Sequence, residues 1–184
     1  GYTKVTINKS IGFLEFQAGD PSGAVGFSDM VLEFGSDLIQ TVASTNEMND
    51  VDAVLGGLLL SGLPFELTGR VQMSVVGKGS NTTGSWDTEI LSMSLTGNLP
   101  GVGLVELRES PSMVSPGRVM VTDIGGGLFQ IDSFFDVFTE LSVDGGSQWI
   151  PATESARFFI TPEPATMTLL ALGGMAVLRK RRGR

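Results

Sequence analysis

The chain of 184 residues contains no cysteine and no histidine. Without cysteine the protein has no disulfide, no thiolate nucleophile and no cysteine-based zinc or iron–sulfur site. Without histidine it lacks the side chain used most often for acid–base catalysis near neutral pH, and the commonest nitrogen ligand of transition metals. The sequence therefore predicts no catalytic residues and no metal centre, and it favours a protein that is not an enzyme.

Charged residues are scarce, at 17% of the chain, and their signs are segregated. Residues 1–161, here called the body, contain seven basic and nineteen acidic side chains, a formal charge of −12. Residues 162–184, here called the tail, contain five of the twelve basic residues of the chain. Because an acidic surface repels nucleic-acid phosphates, we expect no nucleic-acid partner.

The body has the pattern of an all-β domain. Short apolar runs that alternate at period two are separated by glycine-rich and proline-rich turn signals, and no helical period is sustained. About ten short strands predict one extracytoplasmic domain over residues 1–161, an antiparallel two-sheet β-sandwich of the jelly-roll or immunoglobulin-like kind. A β-barrel is the alternative.

The clearest local prediction is a long hairpin. Residues 66–76 and 86–95 both alternate between apolar and polar side chains, and residues 77–84 form the turn between them. Ile90 and Leu91 interrupt the alternation and indicate a β-bulge. By contrast, residues 44–52 are polar and acidic and predict a loop or one helical turn.

The tail begins with Pro162, Glu163 and Pro164, whose prolines end the preceding strand and leave an extended segment accessible to a processing enzyme. Residues 165–178 carry no charge and predict an apolar transmembrane helix of about 21 Å, shorter than the ~30 Å hydrocarbon core of a bilayer. Its principal apolar side chains are those of Ala165, Leu169, Leu170, Leu172, Val177 and Leu178.

A basic cluster in residues 179–184 completes the tail. It includes Arg179, Lys180, Arg181 and Arg182. By the positive-inside rule this cluster predicts a cytoplasmic C-terminus and an acidic body outside the membrane. Because the apolar span is short, the tail is expected to act as a transient anchor in the inner membrane.

These three parts, in this order at the end of the chain, resemble the PEP-CTERM sorting signal. The resemblance covers residues 162–184 and implies export, processing by an exosortase-type sorting enzyme, and delivery to the cell surface or the extracellular matrix. Residues 131–149 also resemble the β-rich bodies of such proteins. We therefore predict an exported protein with a structural or adhesive body, with extracellular polysaccharide as a candidate partner.

The start of the chain agrees with this prediction. The first residue is glycine, and the first thirty residues contain no positively charged segment followed by an apolar one. We expect that a secretion signal has been removed or that the sequence is a fragment.

One short pattern, Ser142-x-Asp144-x-Gly146-x-x-Trp149, is similar to the Asp-box hairpin of sialidases and related propellers. It predicts a turn in which Asp144 accepts hydrogen bonds from loop amides and Trp149 covers the hairpin. A single copy indicates a structural hairpin and not glycosidase activity.

Two alternatives remain for the body. A secreted carbohydrate-active hydrolase would place two carboxylates in a cleft lined by Trp86 or Trp149. A carbohydrate-binding module would be stabilised by Ca²⁺ on acidic side chains, and no other cofactor is expected. The favoured fold, however, places both tryptophans in the core.

Overall fold

The computed structural model describes residues 6–8, 14–16, 25–43 and 45–161. All of the regular secondary structure in these ranges is β-strand, which confirms the all-β prediction. The strands are β1 (Thr6–Asn8), β2 (Leu14–Phe16), β3 (Val25–Ala43), β4 (Asn46–Leu59), β5 (Pro64–Val75), β6 (Gly84–Leu99), β7 (Gly103–Glu109), β8 (Ser115–Gly125), β9 (Leu128–Val137), β10 (Thr139–Ser142), β11 (Ile150–Pro151) and β12 (Ala156–Thr161).

No helix that is long and apolar enough to cross a membrane occurs in the ranges given above. The predicted apolar helix over residues 165–178 lies outside the described residues.

The first half of the sheet is a plain antiparallel meander. Strands β3, β4, β5 and β6 pair in chain order, each with the next. The short strand β2 pairs with the start of β3. Strands β3 to β6 are 12 to 19 residues long, so they can twist and bend along their length.

The second half consists of long strands that are each interrupted once. Strands β7 and β8 both pair with β6, β7 along residues 94–99 and β8 along residues 84–90. Strand β10 pairs with β7, and β9 pairs with β8. In the next position, β11 pairs with β10, and β12 pairs with β9. Residues 110–114 form the interruption between β7 and β8.

The strands thus form one curled antiparallel sheet. Strand β1 pairs with both β3 and β12, which joins the first long strand to the last. The expected two-sheet sandwich is corrected to this single sheet. The physical reason is strand length: long strands with bulges let one sheet curl around its own apolar side, so no second sheet is needed to bury it.

The core lies on one face of this sheet. Strand β5 shows the alternation that the sequence predicts, with Phe65, Leu67 and Val71 buried and Glu66 and Thr68 exposed. The predicted bulge is also confirmed, because Gln72 pairs with Ser92 and Met73 pairs with Ile90, which leaves Leu91 unmatched. The largest fully buried side chains are Phe27, Met30, Leu32, Leu67, Ile90, Leu95, Leu107, Phe135 and Leu141.

The loop or helical turn predicted over residues 44–52 is wrong, because most of this segment belongs to β4. Its polar side chains are satisfied across the strands: Arg70 Nε donates to Asp50 at 2.9 Å and Arg70 Nη1 donates to Asp52 at 2.7 Å. Hydrogen bonds from Gln72 and Arg70 hold the pKa of Asp50 below its ordinary value. A run of acidic residues can therefore form a strand when a neighbouring strand supplies the donors.

Three glycines inside strands allow neighbouring backbones to approach closely. A Cβ atom at Gly69 would overlap the carbonyl oxygen of Ser94, and one at Gly97 would overlap that of Glu66. At Gly117 it would overlap the carbonyl oxygen of Phe134. These positions let the sheet bend tightly where a side chain would hold the strands apart.

Candidate functional site

The predicted sorting residues of the tail follow the last strand directly. Strand β12 ends at Thr161, and everything from Pro162 onward, including the apolar span and the basic cluster, lies outside the described residues. Strand β12 itself pairs with β9 on one side and β1 on the other. The tail is therefore joined to an internal strand of the sheet.

The structure brings together the residues of the predicted hairpin. Asp144 Oδ1 accepts hydrogen bonds from Ser142 Oγ at 2.8 Å and from the backbone N–H groups of Ser147 and Gln148 at 3.1 and 2.9 Å. The N–H of Gly146 donates to Ser142 Oγ at 2.9 Å, and Gly146 has a φ of 83°. Asp144 thus organises the turn as the sequence predicts.

Asp144 should make the protein sensitive to acid. Hydrogen bonds from the Gln148 amide and the Ser142 hydroxyl, in that order, lower the pKa of Asp144. Its stabilising effect is therefore present above the ordinary aspartate range and is lost as the pH falls through the lowered folded-state pKa. We expect Asp144→Asn to lower the unfolding temperature at pH 7, with a difference from wild type that shrinks as the solution is acidified. Differential scanning calorimetry from pH 7 to pH 3 measures this.

The matched control for this prediction is Glu154→Gln, since Glu154 is an exposed acid with no hydrogen-bond partner among the described residues. It should leave the unfolding temperature unchanged at both ends of the pH range. A constant difference between Asp144→Asn and wild type at every pH would contradict the role of the ionised carboxylate.

Trp149 follows the hairpin and packs against an arginine from β7. The guanidinium carbon of Arg108 lies 3.8 Å from the centroid of the Trp149 ring. Arg108 also donates from Nε and Nη2 to Oε2 of Glu140, at 3.0 and 2.6 Å. Arg108 and Glu140 are register partners between β7 and β10, so the sheet itself positions the cation over the indole.

A cleft of about 720 Å³ opens beside Trp149. One side is residues 89–94 of β6, which include the bulged Leu91, and the other is the loop 110–114 between β7 and β8. Its size falls in the range of about 300–1,000 Å³ that is typical of small-molecule sites. The aromatic and charged residues that line the cleft are Glu89, Glu106, Arg108, Glu109 and Trp149.

Glu109 is a half-buried acid that lines this cleft. Burial raises the pKa of Glu109, and the charges of Glu89 and Glu140 raise it further, while a hydrogen bond from Ser115 Oγ at 3.2 Å opposes the shift. A half-buried acid that retains its proton more readily is a common feature of functional clefts. The sequence did not single out Glu109, because the cleft forms only when β6, the loop after β7 and Trp149 come together in the fold.

The two tryptophans do not belong to the core, contrary to the prediction. Both are half-buried at the surface, and each lies beneath a cation. Over Trp86 the cation is Lys78, whose Nζ is 5.9 Å from the ring centroid and also forms an ion pair with Glu47. The physical reason is that an amphipathic indole can lie at a partly polar surface when a cation occupies its face.

Every basic side chain in the described ranges is paired with a carboxylate. The pairs are Arg70 with Asp50 and Asp52, Lys78 with Glu47, Arg108 with Glu140, Arg118 with Asp87, and Arg157 with Asp136. The described surface therefore has excess negative charge. Within the same ranges, no three acidic side chains group as a metal site would require, so the Ca²⁺ alternative gains no support there.

Comparison with known proteins identifies the tail. Residues 161–182 match the family model described as the PEP-CTERM protein-sorting motif. This confirms the resemblance drawn from the Pro-Glu-Pro start, the apolar span and the basic end. Residues 161–182 therefore carry a PEP-CTERM sorting motif, which implies recognition by exosortase and export to the cell envelope.

No curated protein and no solved structure matches the chain significantly. The resemblance of residues 131–149 to the β-rich bodies of proteins with this motif stays a prediction.

Proposed function

We propose that this protein is a structural or adhesive component of the cell surface or extracellular matrix rather than an enzyme. In this proposal residues 165–178 anchor it transiently in the inner membrane, with residues 179–184 in the cytoplasm, until an exosortase-type enzyme processes the tail. The body then associates with extracellular polysaccharide. This role needs no cofactor and no nucleic-acid partner.

The observation that carries the proposal is the place of the sorting motif in the chain. The matched residues begin at Thr161, the last residue of β12, so the motif follows the curled sheet without an intervening domain. The negative surface of the body also supports a location away from nucleic acids, since its described basic side chains are all neutralised by carboxylates.

Expression in the native host tests the sorting step. We expect wild-type protein at the cell surface or in the medium, with a mature C-terminus that lacks Arg184 by mass spectrometry. Replacing Pro162, Glu163 and Pro164 with alanine should retain the protein in the membrane fraction with Arg184 in place. Glu154→Gln, an exposed change outside the motif, is the control and should be sorted as wild type.

Recovery of wild-type protein inside the cell with Arg184 retained would overturn the proposal. The adhesive role is tested separately, by comparing the amount of extracellular matrix retained by wild-type cells, deletion cells and deletion cells that express the alanine variant. Equal retention by all three would remove the structural or adhesive role while leaving the sorting step intact.

A carbohydrate-active hydrolase is the second candidate, and the observation that favours it is Glu109. Its raised pKa and its position in the cleft beside Trp149 are those of a general acid that could protonate a glycosidic oxygen. Release of reducing ends from the host's extracellular polysaccharide by wild type, but not by Glu109→Gln, would establish this activity. Equal release by both proteins, or none by wild type, would reject it.

A further inference from the structure

The cleft beside Trp149 is lined by a strand and by a loop whose two ends are hydrogen-bonded. Its floor is β6 between Glu89 and Ser94, and its wall is the loop 110–114. Both ends of this loop are fixed: the N–H of Ser110 donates to the carbonyl of Phe138 at 2.8 Å, and Ser115 is fully buried and accepts from the N–H of Phe138 at 3.1 Å. A ligand would therefore meet a largely preformed site.

Trp149 contributes an aromatic side chain to the lining of the cleft. Its indole is half-buried, and Arg108 holds it in place from one face while being held in turn by Glu140. An immobilised aromatic ring loses little entropy when a ligand packs on it. The apolar C–H faces of a pyranose ring are suited to such a surface, whereas a flexible side chain would first have to be ordered.

The charged side chains that line the cleft are mostly carboxylates, which accept hydrogen bonds. The carboxylates of Glu89 and Glu106 form no ion pair or hydrogen bond with another described side chain, and the one cation of the lining, Arg108, is already paired. Carboxylates accept hydrogen bonds strongly from hydroxyl groups. They also repel other carboxylates and sulfates.

We propose that this cleft binds an extracellular saccharide chain that carries no acidic groups, with Trp149 packing on a sugar ring and Glu89 and Glu106 accepting from its hydroxyls. The inference rests on the proposed surface role and names the chemistry of the polymer that the body would hold. Neutral and amino-substituted hexose chains fit this description. Uronic-acid and sulfated chains do not.

The test is direct binding by the purified full-length chain in mild detergent, measured by calorimetry with four probes. These are cellohexaose, N-acetylchitohexaose, hexagalacturonic acid and hexalysine. We expect at least one of the first two to bind with little dependence on salt, because the contacts are packing and hydroxyl hydrogen bonds. Hexagalacturonic acid should not bind. Binding of hexalysine alone would mean that the cleft is a site for basic peptides and would overturn the proposal.

Variants then place the binding in this cleft. Trp149→Ala should weaken saccharide binding about tenfold or more, and Glu106→Gln should weaken it about fivefold, as expected for the loss of a charged hydrogen-bond acceptor. Trp149→Phe keeps an aromatic surface and should retain most of the affinity, which guards against loss through misfolding. Trp86→Ala is the matched control, since Trp86 is the other half-buried indole beneath a cation and lies outside the cleft.

Three results would overturn the inference: no binding of either uncharged hexasaccharide, equal binding by Trp149→Ala and wild type, or equal losses in the Trp149 and Trp86 variants. Because this measurement uses purified protein, its failure is distinct from a failure of the sorting experiment. If the tail directs the protein to the surface but the purified protein binds no saccharide, only the inference about the cleft is rejected.

Discussion

Replacing Phe135 with alanine is expected to lower the free energy of unfolding by about 3–5 kcal/mol. Phe135 is 2% exposed and lies in β9, where its register partners are Gly117 of β8 and Phe158 of β12. Its ring occupies the space that Gly117 leaves open, since a Cβ there would come within 2.7 Å of Phe135 Cδ1. The substitution therefore removes a buried ring that packs where β8, β9 and β12 meet.

Chemical unfolding followed by tryptophan fluorescence measures this effect, and the urea midpoint should fall by roughly 2 M. The control is Phe129→Ala in the same strand, because Phe129 is 46% exposed and should change stability by only about 0.5 kcal/mol or less. Similar midpoints for the two variants would contradict the prediction that Phe135 is an important part of the core. Since small domains are stable by only about 5–15 kcal/mol, the Phe135 variant should be close to the limit of folding.

Replacing Gly69 with alanine should cost about 3 kcal/mol, although it adds only one methyl group. The new Cβ would overlap the carbonyl oxygen of Ser94 and lie 2.9 Å from the Cα of Leu95. Both obstacles are backbone atoms of β6, so relief requires that β5 and β6 move apart. Such a movement breaks register hydrogen bonds around Gly69 and Leu95.

Gly56→Ala is the matched control for this second prediction. Gly56 also lies inside a strand of the same meander, but a Cβ there would meet only the carbonyl oxygen of Phe65, at an ordinary 3.7 Å. It should be neutral or stabilising by up to about 1 kcal/mol, since alanine loses less backbone freedom on folding than glycine. Thermal unfolding of the two variants decides the matter, and a loss in Gly56→Ala equal to that in Gly69→Ala would contradict the close approach of the strands.

The local features that the sequence predicted are those in which each residue is read against its chain neighbours. The alternation in β5 and the bulge at Leu91 follow from period two and its interruption, and both are present. The Asp144 turn follows from side-chain-to-amide hydrogen bonds within five residues. Such features need no knowledge of distant partners.

The features that the sequence missed depend on which strands become neighbours. Residues 44–52 were not predicted as a strand because they are polar and acidic, but Arg70, about twenty residues away, binds Asp50 and Asp52. Two sheets were expected because strand length was underestimated, whereas the long strands curl as one sheet. Chain periodicity does not reveal either relation.

The cleft could not be predicted from the sequence, for the same reason. Trp149 was a candidate residue, but its partner Arg108 and the acids Glu89 and Glu109 come from other strands. Only the register between β7 and β10 sets Arg108 beside Glu140 and over the indole. The composition could indicate that carboxylates and tryptophans were available, but not which of them meet.

The position of β12 has a mechanical consequence. A pull applied to the protein through its C-terminal end enters the fold at Thr161, in a strand that is hydrogen-bonded to β9 on one side and to β1 on the other. When such a strand is drawn along its own axis, the ladders on both sides carry the load in shear, and several bonds must yield together. A terminal strand at a free edge could instead be peeled away one bond at a time. The fold is thus attached at a place suited to bearing tension.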